Sequence, residues 1–305
     1  QGQGGGTGLL ERADLVRAAA DAAEAAAVDA DLVADARVLV DRLLLQEELR
    51  KKVEAVGSQS PVLTQTAYTT LINPLSSLAA RAEEAEVSPA LCRAARFLVG
   101  RGHSEYWLQV ALGRLRAVDC AGEDQVRDMA RLKESLRKAA AAGGDEGLVG
   151  EARARHAKLS ADLELGRARG AYPEVRVPPD APREGEEPPP PLPKDFWQPS
   201  DVGHILVDEH FPLLPPEATE YAWVPSEALK AFRGAHDRLA AALEKGREAG
   251  AHEGALEEAG ATLKAQGQIL AKLEEKDAED FAAAKTVAEK AAKKLKKKGK
   301  GKKKK

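Results

Sequence analysis

The stretch EGALEEAGATLKAQGQILAKLEE, residues 253–275, places Leu256, Ala259, Leu263, Gln266, Leu270 and Leu273 in alternating steps of three and four. That spacing draws one narrow stripe along an α-helix. Glu257, Glu258, Lys264, Lys272, Glu274 and Glu275 fall outside it. A stripe this narrow must be covered by a second helix, and four leucines, Leu256, Leu263, Leu270 and Leu273, are its anchors. Ala259 and Gln266 weaken it as a coiled-coil seam, and the pattern stops short of three heptads. Gly246, Gly250, Gly254, Gly260 and Gly267 each cost about 1 kcal/mol relative to alanine inside a helix. Two coverings fit: the chain's own core, or a helix of another protein.

Working outward, we expect one long, coiled-coil-like helix over residues 226–289 that runs into a basic tail over residues 290–305. The tail, KAAKKLKKKGKGKKKK, has 11 lysines in 16 residues and no acid. Without them the 46 basic residues fall to 35, against 49 acidic ones, so an acidic body carries a strongly basic end. Such polarity suits attachment to an acidic partner. The tail residues expected to do this are Lys293, Lys294, Lys296, Lys297, Lys298, Lys300, Lys302, Lys303, Lys304 and Lys305.

Composition supports an all-α fold. Alanine and charge dominate, aromatics are 4 %, and runs of β-branched residues are nearly missing. We expect extended, solenoid-like helical hairpins, then a proline-rich linker, then the long C-terminal helix with its basic tail. Residues 1–8 form a glycine-rich leader with nothing to bury. The chain opens on Gln1 rather than methionine, and we read it as one end of a longer polypeptide.

Residues 9–170 form the helical hairpin region. Within it, residues 9–56 carry one helical pattern that Gly57 ends, its alanine-rich first half suited to close approach of a neighbouring helix. Residues 62–85 form a second segment, divided at Asn73-Pro74. Ser88-Pro89 is a helix start, with an N-cap and a proline whose missing N–H does no harm at the first position. We expect that helix to break at Gly100-Arg101-Gly102 and restart at Ser104. The result would be an antiparallel hairpin in which Leu91, Ala95 and Leu98 face Trp107, Val110 and Leu115. It resembles one unit of a tetratricopeptide-like solenoid. Residues 124–142 and 146–169 read as a further helical pair.

At Tyr172 the character changes: 14 of the 17 prolines lie between Pro173 and Pro225. Residues 171–193 are an acidic, proline-rich linker that favours an extended polyproline II rod. Residues 194–225 concentrate apolar bulk, with Phe196, Trp197, Ile205, Phe211, Leu213, Tyr221 and Trp223 as anchors suited to surface pockets. That segment lies either on the chain's own helices or on a partner, and residues 205–207 suit a short strand.

The sequence offers no residue pattern that carries chemistry. His204 and His210 sit beside Asp208 and Glu209, but their spacing fits no helical metal pair. Cys92 falls on an apolar face and reads as an inert thiol. Two cysteines provide neither a zinc site nor a disulfide framework, which suits a reducing compartment. No glycine-rich loop follows a strand, and the abundant carboxylates read as solvated helix surface. We expect no catalytic residue, no cofactor, no metal, no small-molecule substrate and no membrane span.

The lysine tail suits an acidic protein surface, of which glutamate-rich tubulin tails are an example. A solubilising tail without a partner is the alternative. An anionic membrane would need an anchor that the chain does not supply. Nucleic acid would accept the same charges, but the tail lacks arginine and interleaved aromatics. The alanine- and arginine-rich helices, the proline-rich spacer, the aromatic segment 196–223 and the ending Lys296-Lys297-Lys298-Gly299-Lys300-Gly301 with Lys302 to Lys305 resemble scaffold components of the motile-cilium axoneme. The likeness is to central-apparatus projection proteins of green-algal composition. It implies a non-enzymatic, microtubule-associated structural protein of the cytoskeleton, bound to other axonemal proteins through residues 196–223 and the C-terminal helix. The competing reading is a nucleic-acid- or ribosome-associated factor that attaches through the tail.

Overall fold

The computed structural model describes residues 8–59, 61–176, 202–205 and 223–301. Among these, helix dominates and strand is confined to one two-residue ladder, so the fold is all-α. The chain forms two compact units. One comprises Gln1–Asp119 with Glu123–Ala157, the other Cys120–Gly122 with Lys158–Lys305.

In the first unit, α1 (Leu9–Ala25) and α2 (Ala30–Ser58) pack as a helical hairpin. The single pattern expected over residues 9–56 is therefore interrupted. Ala27 takes a left-handed φ of 52°, and the Asp29 carboxylate accepts the Asp31 N–H at 3.0 Å to start α2, an N-cap inside an alanine-rich run. Alanine on the inner face of α1, with Ala13 and Ala20 buried, lets the two helices approach closely.

After α3 (Gln65–Ala67), a π-helical turn (Tyr68–Ile72) leads directly into α4 (Asn73–Glu84). Pro74 thus changes the register without breaking the run. The Asn73 N–H reaches back to the Tyr68 carbonyl, and the wider turn accommodates a proline that has no N–H to give.

Helix α5 (Pro89–Leu115) is one uninterrupted helix. The expected break at residues 100–102 and the hairpin built on it do not form, and the tetratricopeptide-like unit goes with them. Gly102 serves packing instead: a Cβ there would collide with the Ile72 side chain, meeting Cγ1 at 2.9 Å. The first core gathers Leu49, Ile72, Leu75, Leu78, Ala95 and Tyr106 from α2, the π turn, α4 and α5. Each fully buried leucine contributes about 1.5–3 kcal/mol. A 3-10 turn at Glu123–Gln125 then starts α6 (Val126–Ala141), and α7 (Glu146–Arg169) follows.

The second unit is built on the last part of α7, α8 (Glu227–Glu248) and α9 (Glu253–Gly301). The one long helix expected over residues 226–289 is two helices. The chain reverses at residues 249–252, where Gly250 holds φ 65°, a conformation that costs residues with a Cβ about 1–2 kcal/mol. α9 also passes through the expected boundary at 290 and continues to Gly301. Strand β1 (His204–Ile205) pairs antiparallel with β2 (Trp223–Val224), so the strand expected at 205–207 is placed at 204–205 among the described residues.

Candidate docking and charge-attachment surfaces

The seam leucines of α9 are covered from within the chain. Leu256 and Leu263 pack with Leu239 and Leu243 of α8 and Ala161 and Leu165 of α7. Leu270 and Leu273 pack with Leu229 and Phe232 of α8 and with Tyr172 and Val175. Contact is close: a Cβ on Gly246 would stand 3.0 Å from both Leu165 Cδ1 and Leu256 Cδ2. The first turn of α9 is held by Asp162, 2 % exposed, whose Oδ1 accepts the His252 N–H at 2.7 Å. A carboxylate there also opposes the positive end of the helix dipole.

Of the aromatic and apolar anchors expected in residues 194–225, Ile205 and Trp223 lie in the β1–β2 ladder. Phe196, Trp197, Phe211, Leu213 and Tyr221 fall outside the described residues. The Trp223 Nε1–H donates to Asp277 Oδ2 at 3.0 Å, and its ring stands 5.4 Å from that of Phe281. Gly203 leaves the room: a Cβ there would run into the indole and meet the Val224 carbonyl oxygen at 2.8 Å. Trp223 is thus packed on its own chain, and β1, with Ile205, lies against α9.

Beyond Phe281, α9 becomes an electrostatic surface. Lys290, Lys293, Lys294 and Lys297 are exposed, while Ala292 is buried. The four recur at i, i+3, i+4 and i+7 and so share one face of the helix, turned away from Ala292. Lys296, Lys298 and Lys300 lie within the same helix, and Lys302, Lys303, Lys304 and Lys305 fall outside the described residues.

No protein-family model, curated protein or solved structure matches the chain.

A cleft of about 260 Å³ in the second unit is lined by Glu174, Arg176, Ser226, Lys276, Asp277 and Asp280, among others. Three of its charged side chains have partners in the described residues: Lys276 Nζ lies 3.0 Å from Asp280 Oδ1 and 3.6 Å from a Glu279 oxygen, and Asp277 accepts the Trp223 indole N–H. Burial pulls the Lys276 ammonium down, but Asp280 and Glu279 outweigh it and raise its pKa. Among the described residues, no three His, Cys, Asp or Glu side chains are grouped to hold a metal ion, and no helix is long and apolar enough to cross a membrane. His204 is exposed on β1, and His210 is outside the described residues. Cys92 is buried, and burial raises its thiol pKa, which keeps it protonated and unreactive.

Sequence reasoning missed two features of the first unit. The carboxylates are not all helix surface: Glu105, 1 % exposed, accepts the Val62 N–H at 3.0 Å, the Asp145 N–H at 2.9 Å and Arg101 Nε–H at 2.8 Å. It ties the loop before α3 and the turn before α7 to the middle of α5. An aromatic group also forms around the π turn. Tyr68 stacks on Tyr106 with centroids 4.5 Å apart, its hydroxyl lies 2.9 Å from His103 Nδ1, and Trp107 sets its ring edgewise to both His103 and Tyr106. Pro74 was the one sequence signal for it.

Proposed function

We propose that the chain is a non-catalytic scaffold whose α9 end attaches to an acidic protein surface. The single observation that carries this is the row of exposed lysines Lys290, Lys293, Lys294 and Lys297 on the face of α9 opposite buried Ala292. The row continues into a sequence with no acid through residue 305, on a chain whose other charges sum to the opposite sign. A like-signed body repels an acidic partner, so attachment is directed to the tail. The likeness to axonemal scaffold components names the partners: glutamate-rich tubulin tails at the microtubule surface, with other axonemal proteins as neighbours, in the cytoskeleton of the motile cilium.

Co-sedimentation with microtubules tests it. The full chain should pellet at low salt, and a chain lacking residues 290–305 should stay in the supernatant. Binding should weaken several-fold between about 0.05 and 0.2 M salt as screening shortens. Microtubules stripped of their acidic tails should bind poorly. Unchanged pelleting after the deletion refutes the attachment role. Complete release by competing RNA at equal charge turns the assignment to a nucleic-acid-associated factor.

A further inference from the structure

One side of the α1–α2 hairpin exposes three leucines, with Arg12 and Asp35 beside them. The hairpin's seam is made by Leu9, Ala13, Val16, Ala20 and Ala23 on α1 and by Val33, Ala36, Val40, Leu43 and Glu47 on α2, all buried or half-buried. At about 100° per residue, Leu15 lies about 120° from the centre of the α1 seam. On the same measure Leu32 and Leu39 lie about 60° and about 80° from the α2 seam, all three in the same rotational sense. In antiparallel helices the same sense leads to the same side, so the three leucines share a face. The ion pair between Arg37 and Glu24, displaced in the opposite sense, bridges the other side. Leu10 and Val38 turn onto other faces.

Leu15 and Leu32 are each 64 % exposed and Leu39 is 44 % exposed. Leu32 and Leu39 are one heptad apart. Counting from the turn at 26–29, Leu39 comes level with Leu15, and Leu32 with the small, exposed Ala22. The face thus offers two apolar layers about 10 Å apart along the hairpin, the spacing of successive heptads on an incoming helix.

Charge selects the occupant. Residues 9–43 contain eight acidic and four basic residues, and exposed Glu11, Asp31 and Asp35 border the three leucines. The arginines are engaged within the chain: Arg17 by Asp14, Arg37 by Glu24 and Arg42 by Glu86, and Arg12 has a partner as well. A second copy of this hairpin would bring like charge to like charge, which disfavours association. We infer that the Leu15, Leu32 and Leu39 face of the α1–α2 hairpin is the docking site for a basic amphipathic helix of a partner protein. That helix completes a three-helix bundle, its apolar stripe on the leucines and its lysines or arginines over Glu11, Asp31 and Asp35. This is helix-in-groove recognition with charge setting the choice of partner.

Fluorescence anisotropy tests it with a three-heptad peptide carrying leucine at a and d and lysine at e and g. The full chain should bind it with a Kd of about 1–10 μM. The same peptide with glutamate at e and g should bind at least about tenfold more weakly, as should the lysine peptide on the Leu32→Ser, Leu39→Ser chain. Both leucines are exposed, so circular dichroism should show that chain folded. The Asp31→Lys, Asp35→Lys chain keeps the apolar contact and should reverse the preference between peptides. Equal binding by the serine variant, or equal binding of both peptides, overturns the inference. So does a dimer in light scattering that the serine substitutions dissolve, which would make a second copy the occupant. The site lies in the first unit, so its failure is separable from failure of the microtubule experiment.

Discussion

Glu105 is where a single side chain decides most. Its carboxylate receives two backbone N–H groups and an arginine from three parts of the chain. Truncation leaves buried donors without an acceptor, so Glu105→Ala should lower the unfolding free energy by about 3–5 kcal/mol, with Glu105→Gln less damaging. Urea denaturation measures both. In sequence this residue looks like any other glutamate, because its burial depends on donors some 40 residues away in either direction. Glycines are equally mute: Gly102 and Gly250 are the same letter, yet one clears space for Ile72 and the other turns the chain. Gly102→Ala should destabilise through its collision with Ile72. Gly113→Ala, where nothing lies within 4 Å of the new methyl, should stabilise by up to about 1 kcal/mol. His156 adds a pH dependence. Burial, assisted by Lys133, lowers its pKa below 6.5, so the folded chain favours neutral imidazole while the unfolded chain binds a proton near 6.5. Stability should therefore fall as pH drops from about 7.5 to about 5.5, and His156→Gln should flatten that slope. Denaturation midpoints across the range check it.

At the scale of elements, periodicity was the legible part. The leucine steps of residues 256–273 are a helix that needs covering, and α9 is that helix. What covers it was open in the sequence because a three-four stripe carries no address. The answer came from α8, which the chain's reversal at Gly250 brings back against it. Ser88-Pro89 marked the start of α5 for a local reason: the N–H that proline lacks is one no helix requires at that position. Its length was misread because Gly100-Arg101-Gly102 is a break only where no neighbouring helix uses the vacated space. The coverage of α9 can be tested by contrast. Phe232 is fully buried against Tyr172, Leu229 and Leu273, so Phe232→Ala should cost about 3–5 kcal/mol. Val287, on the exposed side of α9, should tolerate alanine within about 0.5 kcal/mol. Thermal unfolding followed at 222 nm distinguishes the two.

For the molecule as a whole, the question is whether the lysine row is part of the fold or an appendage carried by it. The named side-chain contacts that dock α9 precede its lysine row: Leu256, Leu263 and Leu273 on α8, then Asp277 and Phe281 on Trp223. Ending the chain at Ala292 removes ten lysines and moves the formal net charge from −3 to −13 without removing one of those contacts. Its unfolding midpoint should stay within a degree or two of the full chain, while its attachment to acidic surfaces disappears. Ending it at Lys276 takes away both partners of Trp223. That leaves the indole N–H without its acceptor and the ring without Phe281, so the midpoint should fall by several degrees. If instead the chain ended at Ala292 unfolds as readily as the one ended at Lys276, the lysine helix is a structural strut and its charge is incidental. Differential scanning calorimetry at about 0.15 M salt, where exposed like charges are largely screened, makes the comparison without the altered net charge intruding.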